Sequence, residues 1–245
     1  MKRLALSLVL SFAPACGSES GVARASDVSE GAAIFQDASA AASPYNEFAC
    51  ADCHPTPGAG STRTFPGADL AGAIGRPSYW GGQEREILRA INYCRAFFMR
   101  APEPWSAEDQ SARALYAYLA SLSGSADPAP FTPVREIVPP PCAPADREAG
   151  ERVFASACQY CHGSAHEGQG RRSKLIPVLP EQTLEHHALD GPCETSSEAS
   201  AIFLSKIRHG GFFYEGGNMP PFSRETLSDS DVANLFAFLG LGPNP

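Results

Sequence analysis

The pattern Cys-x-x-Cys-His occurs twice, as "CADCH" (Cys50, Cys53, His54) and as "CQYCH" (Cys158, Cys161, His162). It constrains this chain more than any other feature. Two thiols one helical turn apart can add to the two vinyl groups of one porphyrin, and the adjacent imidazole then faces the iron. A thioredoxin-like pair would want a βαβ context and has no use for the histidine. A zinc ion shared between the motifs would need four closed ligands. Repetition of the full pattern favours two covalently bound haem c groups, one per motif.

The N-terminus fits that chemistry, because haem c is attached outside the cytoplasm. Lys2 and Arg3 precede an apolar run from Leu4 to Phe12, and Ala13-Pro14-Ala15 supplies small residues for a signal peptidase. The run is too short to span a bilayer. Cys16 follows directly, so residues 1–16 read as a signal peptide ending in a lipobox, and residues 17–26 as a flexible tether. Ala13 and Pro14 depart from the usual lipobox residues. Plain cleavage after Ala25 is the alternative. The expectation is a protein on the periplasmic side of a bacterial membrane, lipid-anchored through Cys16, or soluble there if Cys16 is not acylated.

Each motif sits in a matching frame. "GAAIF" (Gly31 to Phe35) precedes the first and "GERVF" (Gly150 to Phe154) the second. Downstream, Leu115, Tyr116, Tyr118 and Leu119 recur as Leu235, Phe236, Phe238 and Leu239 at a constant offset of 120. Both stretches read as amphipathic helices begun by "SAED" and "SDSD". "SGSADPAPFTPVREIVPPPCAP" between the halves is too rich in Pro for a helix. Two helical domains, 27–124 and 146–245, joined by a Pro-rich linker over 125–145, are expected. "QDASAAASPYNEF" in the first half reads as a helix extension or loop.

These motifs resemble a dihaem cytochrome c built from two class I cytochrome c domains. "GERVFASACQYCHG" and "GGNMPPF" in the second half match that family best. The resemblance implies an all-α fold in which terminal helices cross and haem fills each core. The stretch "INYC....M" (Cys94, Met99) also resembles the haem domain of thiosulfate dehydrogenase-type cytochromes, where the cysteine sits on the iron.

His54 and His162 are the expected proximal ligands. Met219, in a loop stiffened by Pro220 and Pro221, is the leading sixth ligand of the second haem, with His209 as alternative and His166, His186 and His187 behind it. The first half holds no second histidine, so Met99, which precedes Met219 by 120 residues, is the expected sixth ligand there, with Cys94 as the alternative. A thioether raises a haem potential and a thiolate lowers it. Of the other cysteines, Cys142 and Cys193 flank the second motif and are the expected disulfide.

A formal net charge of −8 argues against a nucleic-acid partner and suits docking to a basic protein patch. The first reading is therefore an electron carrier between redox protein partners. The alternative is a sulfur oxidoreductase with a His/Cys-ligated first haem, for which Arg89, Arg95 and Arg100 could attract an anion, although arginines on a helix usually line a solvated face. A dihaem peroxidase ranks last.

Overall fold

Leu115 and Leu119 in one helix, and Leu235 and Leu239 in another, are each exposed by no more than 3%. Burial of such side chains contributes about 1.5–3 kcal/mol apiece, and it organises two helix pairs. The computed structural model describes residues 24–56, 60–132, 134, 145–185, 198–211 and 217–241. Its longer helices are α1 (Ala25–Gln36), α3 (Ile87–Phe97), α4 (Gln110–Ser121), α8 (Glu198–His209) and α9 (Asp229–Leu239). Short helices α2 (Cys50–Cys53), α5 (Arg147–Val153), α6 (Gln159–His162) and α7 (Glu181–Leu184) lie between them. There is no strand among the described residues, only an isolated bridge between Tyr79 and Glu84. The all-α expectation holds.

Local chemistry sets the helix ends. Ser228 caps α9 by accepting from Asp231 N, while the Asp231 carboxylate accepts from Ser228 N at 2.9 Å, a reciprocal capping box. Gly240, with φ +72°, closes the other end in the left-handed region. Asp146 caps α5 by accepting from Glu148 N and Ala149 N. Asp109, the last residue of "SAED", precedes α4.

α1 packs on α4, and α5 packs on α9. The two crossings share their details. Phe35 and Tyr118 meet at 5.4 Å and 48°, Phe154 and Phe238 at 5.5 Å and 48°. Gly31 approaches so closely that a Cβ would lie 2.0 Å from the Ala114 carbonyl oxygen; at Gly150 it would lie 1.9 Å from that of Asn234. Glycine is needed at both positions because the helix backbones touch. Gly150→Ala should therefore force the helices apart and lower stability by about 1–3 kcal/mol, read as an earlier urea midpoint of the haem-loaded protein. One position breaks the match: Tyr116 is 48% exposed, whereas its counterpart Phe236 is buried.

Two core clusters result, one around Phe35, Leu115 and Leu119, the other around Phe154, Val232 and Leu235. "QDASAAASPYNEF" forms a 3-10 turn over Ala38–Ala41 and then loop, pinned where the Asn46 amide donates to the Ala38 and Phe48 carbonyls. No helix among the described residues is long and apolar enough to cross a membrane. Cys16, Cys142, Cys193, His186, His187 and most of the Pro-rich segment lie outside the described residues.

Candidate haem sites

α2 carries Cys50 and Cys53 on a single turn, held by Asp52, whose Oδ2 accepts from Ala49 N at 2.7 Å. His54 ends that turn. Its Nδ1 lies 2.7 Å from the Ala68 carbonyl oxygen. A carbonyl only accepts, so Nδ1 carries the proton and Nε2 keeps its lone pair for a metal. Gly67 makes room for the ring, since a Cβ there would sit 2.5 Å from it. Burial pushes the His54 pKa down, which keeps the imidazole neutral as ligation requires.

Beside this turn is a cavity of about 550 Å³ with a largely apolar lining. Cys50, Cys53 and His54 form one wall, and Cys94 and Met99 also line it. Phe35, Leu115 and Leu119 contribute apolar surface from the crossed helices. The residues fit a covalent haem: paired thiols, a correctly protonated imidazole, a sulfur ligand, and an apolar space of ligand size. Burial pushes the Cys50 thiol up to about 11 and the Cys94 thiol up to about 12. Cys53 is raised too, first by burial and then by the neighbouring Cys161 and Cys94 sulfurs.

Cys94 falls within α3, and Met99 follows its end, with the Met99 amide donating to the Cys94 carbonyl at 3.3 Å. Met99 is buried. Arg95 departs from the expected solvated face. It is only 4% exposed, lies 3.9 Å above the Trp105 ring and donates to the Glu103 carbonyl at 2.9 Å. Arg89 does face solvent and pairs with Glu84, while exposed Arg100 donates to Asn218 at 2.6 Å.

The second motif follows the same plan. Cys158 ends a π-helical turn and α6 carries Cys161 and His162. His162 Nδ1 lies 2.9 Å from the Pro177 carbonyl oxygen, the counterpart of the Ala68 contact. Burial again lowers the histidine and pushes the Cys158 thiol up to about 12 and Cys161 up to about 11. Met219 packs on the second core, and its carbonyl accepts from Gly211 N at 2.8 Å. Gly210, at φ +56°, is required there because a Cβ would lie 2.1 Å from that carbonyl oxygen. His209 is buried, and its Nε2 donates to the Val134 carbonyl at 2.6 Å. His166 pairs with Glu181 at 2.7 Å near the surface.

Three features were invisible in the motifs. Pro220 and Pro221, and Pro128 to Phe131 of the expected linker, line the first cavity. Trp80 also reaches it, and packs against Phe98 and Phe131. The two attachment motifs also touch: the Tyr160 hydroxyl donates to Asp52 Oδ1, and Arg172 donates to both, at 2.9 Å to Asp52.

The family model described as cytochrome c oxidase, cbb3-type, subunit III matches residues 145–239. Cytochrome c6 of Picosynechococcus sp. is 30% identical over 103 residues, which cover 40% of this chain and 75% of that protein. A solved thiosulfate dehydrogenase from Marichromatium purpuratum, in its as-isolated form, is similar at 19% identity with a TM-score of 0.42. That likeness covers 87% of this chain, which spans only 45% of the other. Thiol pairs, oriented imidazoles, helical architecture and a relative covered over three quarters of its length lead to one conclusion: the chain belongs to the cytochrome c family, proteins that bind haem c covalently and transfer electrons.

Proposed function

We propose that the chain is an extracytoplasmic dihaem c-type cytochrome that relays electrons between redox protein partners. One observation carries the dihaem reading: both histidines present the same tautomer, each fixed by a loop carbonyl, at 2.7 and 2.9 Å. Haem supplies reversible one-electron chemistry at iron. Cys50 and Cys53 would hold one group and Cys158 and Cys161 the other, while His54 and His162 would each offer an imidazole nitrogen and Met99 and Met219 a thioether to the iron. Acylation of Cys16 tethers the chain at the periplasmic side of a bacterial membrane, and the acidic surface docks partners with basic patches. The chain binds no nucleic acid, and a Cys142–Cys193 disulfide braces the second half.

Mass spectrometry of the mature chain, expressed with haem-attachment machinery, should show two haem additions and an acylated Cys16. A single haem would reject the dihaem reading. Met219→Ala should lower the second haem's midpoint potential, because ferrous iron loses its thioether. Axial-ligand changes move haem potentials within a range of about 0.8 V, so a redox titration will resolve the fall. An unmoved potential would show Met219 to be packing alone.

A second reading is supported by the Cys94 sulfur, which shares the first cavity with Met99. A sulfur oxidoreductase resembling thiosulfate dehydrogenase would use Cys94 as the iron ligand and reduce its haems with a sulfur compound.

A further inference from the structure

The residues before the second cysteine of each motif, Asp52 and Tyr160, occupy equivalent positions and bond to one another. So do the residues preceding the two methionines, Phe98 and Asn218, whose amide donates to the Phe98 carbonyl at 3.5 Å. Pairs of equivalent residues in contact are what two units facing one another across a two-fold axis produce. The halves therefore pack through their attachment motifs in an isologous manner.

This contact is built. Arg172 donates to the Tyr160 hydroxyl, to Asp52 at 2.9 Å and to the Glu47 carbonyl at 2.9 Å, and the Tyr160 hydroxyl donates to Asp52. Arg63 lies 3.4 Å above the Tyr160 ring and donates to the Asp52 carbonyl at 2.7 Å. Arg172 lies 4.8 Å from the same ring. The Asp52 side chain is 11% exposed and that of Arg172 30%. Two cations thus stand beside one anion, Asp52, and beside Tyr160 and Cys161, where the Arg172 amide also donates to the Cys161 carbonyl at 3.1 Å. They are partly shielded from water, where charges act strongly. Asp52 also holds the turn of α2, but neither the attachment chemistry nor the helix packing of either half requires the two arginines.

We propose that the cluster of Arg63, Asp52, Tyr160 and Arg172 is the junction through which the two haems of one chain exchange electrons, its side chains acting as positioning residues. The proposal rests on the dihaem reading. No bond forms or breaks: the iron held by one histidine loses one electron, the iron held by the other gains it, and the tyrosine proton stays on its oxygen. The ion cluster holds Cys53 and Cys161 in fixed relation and places a net positive charge beside both groups, which favours the ferrous form of each.

The test uses the full haem-loaded chain, with haem content first measured by mass. One electron is injected photochemically into the oxidised protein, and redistribution between the haems is followed by absorption. Concentration-independent kinetics mark exchange within one chain. Tyr160→Phe keeps the ring and loses the hydroxyl; exchange should slow about tenfold, since small displacements of reacting groups carry large rate penalties. Spectroelectrochemical titration provides a readout that a purely structural role would not move. Arg172→Gln should lower both midpoint potentials, Arg172→Lys should restore them, and Asp52→Asn, which can still accept from Ala49 N, should raise both. Two haems with unaltered exchange in Tyr160→Phe and unmoved potentials in the charge variants would overturn the junction and leave the dihaem reading standing. One haem in the parent chain would overturn both.

Discussion

Replacing Cys50 and Cys53 together by serine should yield a chain one haem lighter whose first half no longer holds its packing. The thiols are the only covalent hold available in that wall of the cavity, and serine hydroxyls do not form the thioethers. The cavity measures about 550 Å³ and is lined by Phe35, Leu115 and Leu119 of the first core. Without haem, that apolar lining would face water instead of a bound group, forfeiting about 25 cal/mol per Å² of apolar surface. A whole domain is stable by only about 5–15 kcal/mol. Haem is therefore a structural part of the core. The variant should show one haem by mass, a reduced helical circular dichroism signal and early proteolysis within 27–124. Cys158→Ser with Cys161→Ser should damage the other half instead. A variant with native helicity and no haem on the first motif would show that the apolar shell closes on itself.

The second large effect concerns Cys94 and Met99. Both line the cavity, so position alone does not choose between them. The match with Met219, 120 residues on, favours Met99 as the expected ligand. Met99 also stands beside Phe98, whose carbonyl faces Asn218, the neighbour of Met219, which extends the correspondence of the two halves to their distal loops. Met99→Ala should abolish the His/Met spectrum of the first haem and lower its potential, and Cys94→Ala should leave both nearly intact. EPR and absorption of the two variants decide it. A spectrum altered by Cys94→Ala and indifferent to Met99→Ala, with reduction of the haems by thiosulfate, would assign the chain to sulfur chemistry.

Much of this protein was determined locally and so was legible without a structure. The thiol pairs and their histidines lie within five consecutive residues, and a single helical turn sets their spacing. The leucines and aromatics of α4 and α9 repeat because a helix crossing buries one face, and a 3.6-residue period writes that demand into the chain. Gly31 and Gly150 belong to the same grammar, as positions where two backbones touch.

What only the tertiary structure decided depends on residues far apart. Arg95 looks like a surface cation in "INYCRAFFMR", yet it is buried because Trp105 supplies a π face and Glu103 a carbonyl acceptor. Pro128 to Phe131 read as linker from their composition, but their apolar surface lines the first cavity, where Pro220 and Pro221 of the other half join them. Asp52 and Tyr160 occupied the variable positions of their motifs and carried no signal there. Their meaning arises from a contact across 108 residues, with Arg172 balancing the charge. Short-range periodicity records which face of an element is buried, and it cannot record which other element covers that face.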